Sequence, residues 1–300
     1  MQPSLDVSRL RLLREVALRG SIAGAARAVG LTPSAVSQQL AILEREAGTG
    51  LLDRSHRGVL LTGAGRALVE RARGILELLE QARADLDRLS GELAGPVRIG
   101  AVASAAAALV SEAALRLAAE HPELDLSVTV AEPAVSIEAL LAGDLDVALV
   151  DVYDGVPVPM PDYLNVTELC TEPLVVVSKT GTFALRHSVQ LAELADSSWV
   201  MPPVAAACGQ AVRFACRDKG FEPRVHWETD DMLLLVRAVA AGHGIAVLPR
   251  LAVADGVATV DIRPLVEPAM KRRLLARTRT SSEDRPVVRG VLAALAKAAG

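Results

Sequence analysis

The chain of 300 residues carries 32 Lys and Arg against 36 Asp and Glu, for a formal net charge of −4. No run approaches the roughly 18 apolar residues that a membrane span needs, and no signal pattern precedes the first helix, so a cytoplasmic protein without membrane contact is expected. Cys170, Cys208 and Cys216 are odd in number and lack C-x-x-C spacing, which argues against a zinc site or a disulfide framework.

In chain order, the first informative stretch runs from Ser21 to Gly65. The segment from Ile22 to Val29 is small and Ala-rich, and Gly30 stands where a helix C-cap takes a left-handed residue. Leu31 fills the turn. Thr32 is a good N-cap and Pro33 falls at the first helical position, so a second helix starts here and runs to about Glu46, ended by Gly48 and Gly50. At about 100° per residue, Val36, Leu40 and Leu43 form a buried stripe. Ser34, Gln38, Ala41 and Arg45 lie opposite, with Ser37 on the flank. Such hydroxyls and an amide can bond base edges, and Pro33 or Ala41 can lie against a thymine methyl. The same groups would also suit a merely solvated helix, so the neighbouring residues decide the matter.

Next, the pieces from Leu51 to Arg54 and from Val59 to Leu61 are strand-like and joined by Ser55, His56, Arg57 and Gly58. This is a wing whose Arg54 and Arg57 would reach phosphates. The order is that of a winged helix-turn-helix, with double-stranded DNA as partner. Residues 1–73 hold eleven Arg, no Lys and six acidic residues, a net of +5, so the positive charge is confined to the segment that would meet DNA.

Residues 64–93 lack proline and repeat apolar residues in sevens: Leu68, Ala72, Ile75, Leu79, Ala82, Leu86 and Leu89. An a/d seam of about three heptads predicts pairing with a second copy, although it could instead pack on its own domain. A pair would set two reading helices on a roughly palindromic site.

These residues resemble the LysR-type transcriptional regulators. The resemblance rests on Gly20-Ser21, Ala25-Ala26, the run from Thr32 to Ser37, Leu43-Glu44, Gly48, Leu51, Arg54, Leu61-Thr62 and Ala64-Gly65. It is specific over about the first 66 residues and architectural beyond them. Leu52 departs from the family's usual Phe, and Leu13 or Val16 stands where an aromatic is common; residues 1–94 contain no aromatic at all. Both changes exchange apolar groups at expected core positions. The resemblance implies that Thr32, Pro33, Ser34, Ser37 and Gln38 lie at the major groove and that Arg54 and Arg57 serve the wing. It implies a cytoplasmic homodimer or homotetramer acting on promoter DNA, with RNA polymerase as a candidate partner.

The expected organisation is an N-terminal all-α winged helix-turn-helix over residues 1–66 and a dimerising linker helix over 67–94. An α/β two-lobed, periplasmic-binding-protein-like effector domain follows over 95–300. Gly95-Pro96 marks its start. A strand from Val97 to Val102, an Ala-rich helix to about His121, a strand from Leu124 to Val130, a helix from Ser136 to Ala142 and a strand from Asp146 to Val150 predict a parallel sheet with covering helices. After Pro157, Pro159 and Pro161 a second cycle follows. Strands are expected at 173–178, 199–201, 225–229 and 245–248, with helices at 191–194, 209–219 and 231–241. Lobe I would span about 95–162 and 266–300, and lobe II about 163–265, with the stretch from Arg272 to Thr278 and the terminal helix returning to the first.

Open parallel sheets bind ligands at their strand ends. The predicted effector residues are therefore Val102, Ala103, Ser104 and Asp151 from the first lobe and Pro202, Pro203, Val204, Asp230 and Pro249 from the second. Ser104 is either a simple N-cap or part of a receptor for a polar group, the use to which the family resemblance points. This set is mostly apolar and carries Asp151 and Asp230 without a matching Arg, which suggests a compact, partly apolar and cationic small molecule. No G-x-S-x-G, H-E-x-x-H or Walker loop is present, and Ala241-Gly242-His243-Gly244 does not extend into G-x-G-x-x-G. His56, His121, His187, His226 and His243 are scattered singly. No catalytic residue, metal or cofactor is expected. The alternative is a small-molecule-binding or catalytic α/β protein with an N-terminal assembly module; Cys208, near a helix start, leaves redox sensing as a side reading beside that of a packed thiol.

Overall fold

The computed structural model describes residues 5–56, 58–90, 93–156, 164–183, 186–253, 260–283 and 285–300. They form two compact units, residues 1–91 and 92–300.

In the first unit, Asp6 caps α1 (Val7–Arg19) by accepting from the Arg9 amide, and Gly20 ends it at φ +64°. Ser21 caps α2 (Ile22–Ala28) in the same way from the Gly24 amide. The expected Thr32 cap and Pro33 start open α3 (Pro33–Ala47), and Gly48 closes it at φ +66°, a conformation that glycine adopts without a Cβ penalty. The strands β1 (Leu52–His56) and β2 (Gly58–Leu61) pair antiparallel, and α4 (Gly63–Ser90) follows. Leu10, Leu13 and Val16 of α1, Ala25 and Ala26 of α2, and Val36, Leu40 and Leu43 of α3 close one core with Leu51 and Leu52. The aliphatic residues at the expected aromatic positions are thus buried. Gly65 is needed here: a Cβ on it would stand 2.1 Å from the Leu51 carbonyl oxygen, where α4 crosses the loop before the wing.

The second unit opens with β3 (Gly95–Ala101), followed by α5 (Ala103–Ala105), which runs through a π turn at Ala106–Val110 into α6 (Ser111–Glu120). Then come β4 (Leu124–Val130), α7 (Pro133–Ala142), β5 (Val147–Tyr153) and β6 (Leu164–Lys179). Beyond them lie β7 (Val189–Gln190), β8 (Ser198–Met201), α8 (Ala207–Asp218), β9 (Arg224–Glu228), α9 (Met232–Ala240) and β10 (Ala246–Pro249). The last elements are β11 (Val260–Glu267), β12 (Lys271–Arg279) and α10 (Pro286–Ala298).

Strand period explains the layers. Val147 and Leu149 of β5 face a core with α6 and α10, while Ala148 and Val150 face α7. In β6, Leu174 and Val176 face α8, whereas Val175 and Val177 face α9. Both faces are covered, which is why these strands read as continuous apolar runs rather than alternating ones.

The sheets are mixed rather than purely parallel. β3 runs parallel to β4 and β5, but β12 is antiparallel to both β5 and β6. The strand expected over 173–178 starts at Leu164 instead: its first part, to Pro173, pairs with β12, and its second part, from Leu174, pairs with β10 and β11. Residues 164–172 therefore hydrogen-bond into the first lobe, beyond the lobe boundary expected near 163, because one long strand crosses between sheets. β11 was absent from the sequence reading. β5 extends to Tyr153, so Asp151 lies within a strand, opposite Leu274, and not at a strand end as expected.

Candidate nucleic-acid interface and effector cleft

The outward face of α3 starts at its cap. Thr32 Oγ1 accepts from the Ala35 amide (3.2 Å) and lies 3.0 Å from Ser34 Oγ. Pro33, Ser34 and Gln38 are exposed and Ser37 is half-buried, opposite the buried Val36, Leu40 and Leu43. Two contacts that the sequence reading missed hold this helix in place. Arg9 of α1 donates to both Glu46 carboxylate oxygens (3.0 and 2.6 Å) and to Gln39 (3.3 Å). Glu44 Oε1 accepts from the Leu51 and Leu52 amides (2.8 and 3.1 Å), tying the end of α3 to the start of the wing. Thr62 Oγ1 donates to the Gly50 carbonyl (2.8 Å) and accepts from the Gly65 amide (3.0 Å), fixing the other side of the hairpin. Arg54 lies in β1; Arg57 lies outside the described residues.

The seam divides. Ala72 is fully buried and Leu68 partly so, both against the core of their own unit. These two positions are thus unavailable for pairing, contrary to the continuous seam expected, because α4 must cover α1 and the wing before it leaves them. Beyond that point Ile75, Leu79 and Leu86 are 38%, 45% and 63% exposed, and Ala82 is exposed too. Leu89 lies in α4, with its side chain outside the description.

In the second unit, the residues predicted for the cleft separate into buried and open groups. Val102, Ser104, Asp151, Pro202 and Pro249 are buried, Ala103 and Pro203 are intermediate, and Val204 and Asp230 are exposed. Ser104 is neither the N-cap nor an open hydroxyl: Val102 is the cap, and Ser104 Oγ accepts from Arg272 Nη1 at 2.7 Å. The missing arginine is therefore present, and the expectation that Asp151 has no matching Arg is corrected. Arg272 comes from β12, donates through Nε (2.8 Å) and Nη2 to Glu172 of β6, and stands 3.8 Å from Asp151. Glu172 also accepts from the Leu251 amide (2.6 Å), just after β10. Glu172 thus holds Arg272 within the first-lobe strands and, through the Leu251 amide, ties them to the second lobe.

Asp151 Oδ2 accepts from the Tyr153 hydroxyl (2.9 Å), two residues along the same strand face, while Oδ1 is buried without a hydrogen-bond partner. Burial raises the Asp151 pKa, and Arg272 and Tyr153 draw it back. Glu132, not anticipated, precedes α7 in the first lobe, and its side chain does not cap its own helix. Burial and then the charges of Asp151 and Asp230 raise its pKa. Arg272 was discoverable in principle, since it shares the inward phase of β12 with Leu274, Ala276 and Thr278.

Burial, followed by the neighbouring Asp151, pushes the Cys208 thiol up to about 12, and burial beside Glu222 does the same to Cys216. Both are held as thiols, the opposite of an activated thiolate. His243 stacks on Trp227 at 4.8 Å. Among the described residues, no group of three His, Cys, Asp or Glu is placed to hold a metal, and no helix is long and apolar enough to cross a membrane.

Comparison with known proteins covers nearly the whole chain. Residues 7–66 match the family described as bacterial regulatory helix-turn-helix protein, lysR family, and residues 90–300 match the LysR substrate binding domain. The HTH-type transcriptional regulator ShiR of Corynebacterium glutamicum is 34% identical over 238 residues, 74% of this chain and 75% of that one. The transcriptional dual regulator GltC of Bacillus subtilis is 26% identical over 272 residues, 89% of each. Among solved structures, a full-length OxyR variant from Pseudomonas aeruginosa matches with a TM-score of 0.71 at 21% identity, over 99% of this chain and 95% of that one. Full-length CbnR complexed with its target DNA matches with a TM-score of 0.57 at 22% identity, over 98% of this chain and all of that one.

Proposed function

Because the chain belongs to the LysR family of bacterial helix-turn-helix transcriptional regulators, we propose that it binds double-stranded promoter DNA as a homo-oligomer and that a small molecule held between its rear lobes alters that binding. The observation that carries the DNA-reading half is the two-sided character of α3. Val36, Leu40 and Leu43 anchor one side in the core, and Pro33, Ser34 and Gln38 stand free on the other with Ser37 at the flank. In this reading Ser34, Ser37 and Gln38 bond base edges, Pro33 packs on a methyl group, and Thr32 presets the helix end by capping it. Arg54 and Arg57 add contacts to phosphate that raise affinity at every sequence.

Pairing falls to the exposed part of α4, where Ile75, Leu79, Ala82 and Leu86 continue a heptad seam after Ala72 has entered the core. A pair of such helices sets the distance between two copies of α3, and that distance must match the half-site spacing. The lobes supply the control. They are joined by β6, which pairs in both sheets, and by Glu172, which accepts from the Leu251 amide, so a ligand that bridges them changes their mutual angle. A DNA-binding regulator of this kind works in the cytoplasm, beside the chromosome.

A gel-shift against DNA upstream of its own and neighbouring genes tests the first half. Site-selective binding that weakens steeply with salt is expected; uniform weak binding to all sequences would refute the reading.

A further inference from the structure

The last turn of α3 carries two glutamates that face different neighbours. Glu46 takes the two-pronged fork of Arg9, which fixes α3 against α1. Glu44 turns instead toward the wing, where its Oε1 accepts from two successive amides, those of Leu51 (2.8 Å) and Leu52 (3.1 Å). In an extended strand neighbouring amides point to opposite sides. They converge on one oxygen where the chain turns, forming a small concavity of N–H groups that suits an anion.

Nothing in α3 itself calls for this carboxylate. A negative charge in the last turn opposes the helix dipole, and the backbone already closes the helix, with the Gly48 amide on the Arg45 carbonyl and the Thr49 amide on the Glu44 carbonyl. The Glu44 side chain serves the root of the wing. Leu51 and Leu52 fix where that root sits, because their side chains are buried in the core. The two amide bonds to Glu44 fix the direction in which β1 leaves it. At the other end of the hairpin, Thr62 donates through its amide to the Leu51 carbonyl (3.0 Å) and through its hydroxyl to that of Gly50 (2.8 Å).

Resting on the DNA-binding reading above, we infer that Glu44 is a positioning residue, whose carboxylate aims the wing so that Arg54 and Arg57 reach phosphate. Base reading by Ser34, Ser37 and Gln38 is set separately, by the buried stripe of α3 and the Arg9–Glu46 pair. Affinity for any duplex thus runs through Glu44, and choice among sequences does not. The charge matters as well as the shape, because a hydrogen bond to an ionised acceptor is roughly twice as strong as one to a neutral acceptor.

The test uses the full-length protein and two duplexes of equal length, an upstream one that it shifts selectively and a scrambled one, between about 50 and 200 mM salt. Each phosphate contact contributes about 0.9 to the slope of log K against log salt, so losing both wing contacts flattens it by up to about 1.8 per subunit. Glu44→Ala should show this flattening on both duplexes and Glu44→Gln a smaller one, with the ratio of the two affinities changed by less than about threefold. Arg54→Ala combined with Arg57→Ala should flatten the slope in the unmodified protein and add nothing beside Glu44→Ala, as groups acting through one another do. A mere loosening of the fold would not reproduce that non-additivity, and thermal melts identify it. If Glu44→Ala does not fold, Glu44→Gln carries the same cycle. An unchanged slope in the folded Glu44 variants, full additivity with the wing arginines, or a lost preference for the selective duplex would overturn the inference. Selective binding with an unchanged slope sinks only the role of Glu44, whereas an unmodified protein that shifts no duplex selectively sinks the parent reading and this one with it.

Discussion

Replacing Arg272 by methionine keeps much of the side-chain volume and deletes the charge shared by Glu172, Asp151 and Ser104. Arg272 is 1% exposed and bound at 2.8 Å through Nε and 2.7 Å through Nη1, so solvent screens little of the loss. Removing one partner of a buried ion pair destabilises by about 3–5 kcal/mol, because the remaining charge stays buried without compensation. The sign of the pH dependence follows from Asp151. Burial already raises its pKa and Arg272 counters this, so without the guanidinium the folded-state pKa rises further above the unfolded value. A carboxyl of that kind lowers stability above its folded pKa, and the penalty fades as pH falls through that value toward the unfolded one. The deficit of Arg272→Met should therefore be full near neutral pH and shrink in mild acid. Urea unfolding followed by tryptophan fluorescence measures this cleanly: both tryptophans, Trp199 and Trp227, lie in the second unit, and residues 1–94 contain no aromatic. Adding Glu172→Gln to Arg272→Met should restore part of the loss. A deficit under about 1 kcal/mol, or one that does not change with pH, would refute the assignment of Arg272 as the cation that stabilises this floor.

Further outcomes follow from particular contacts. Gly65→Ala places a Cβ 2.1 Å from the Leu51 carbonyl oxygen and should destabilise the first unit by about 1–3 kcal/mol or more. Gly74→Ala on the same helix meets nothing within 4 Å and should stabilise by about 0.5–1 kcal/mol; thermal melts followed by circular dichroism compare the two. Gln38→Ala and Ser34→Ala should relax sequence preference at about 1–3 kcal/mol per good base contact, whereas Arg57→Ala should weaken all sites alike, as competition gel-shifts would reveal. Cys208 and Cys216, with thiols pushed up to about 12, should resist iodoacetamide near neutral pH until urea opens the domain. Rapid labelling of either in the native protein, or peroxide-dependent promoter binding, would contradict their reading as packed thiols.

Much of the DNA-binding unit was legible because its determinants are local. A cap sits three residues from the amide it serves, as Thr32 does from Ala35, and a helix stripe repeats within one turn, so Val36, Leu40 and Leu43 declare their side directly. The strands β3, β4, β5, β8, β9 and β10 of the second unit were legible for the same reason, whereas β11 and the first half of β6 were not. What local pattern cannot carry is the identity of a distant partner. A heptad repeat does not say where its helix stops serving its own core, and only packing showed that Leu68 and Ala72 belong to the winged domain while Ile75, Leu79, Ala82 and Leu86 stay open.

The effector cleft shows the same division most sharply. Sequence placed Asp151 and Asp230 near strand ends but missed Glu132, Tyr153, Glu172 and Arg272. It also left Asp151 without its arginine, since Glu172 and Arg272 lie 100 residues apart in the chain. The sequence by itself determined the helices, caps, strand faces and charge of the N-terminal unit, because each depends on neighbours within a few residues. Tertiary structure alone decided the path of β6 through both lobes, the division of the α4 seam and the charge balance of the cleft. Each of these arises where chain segments meet that no short-range spacing relates.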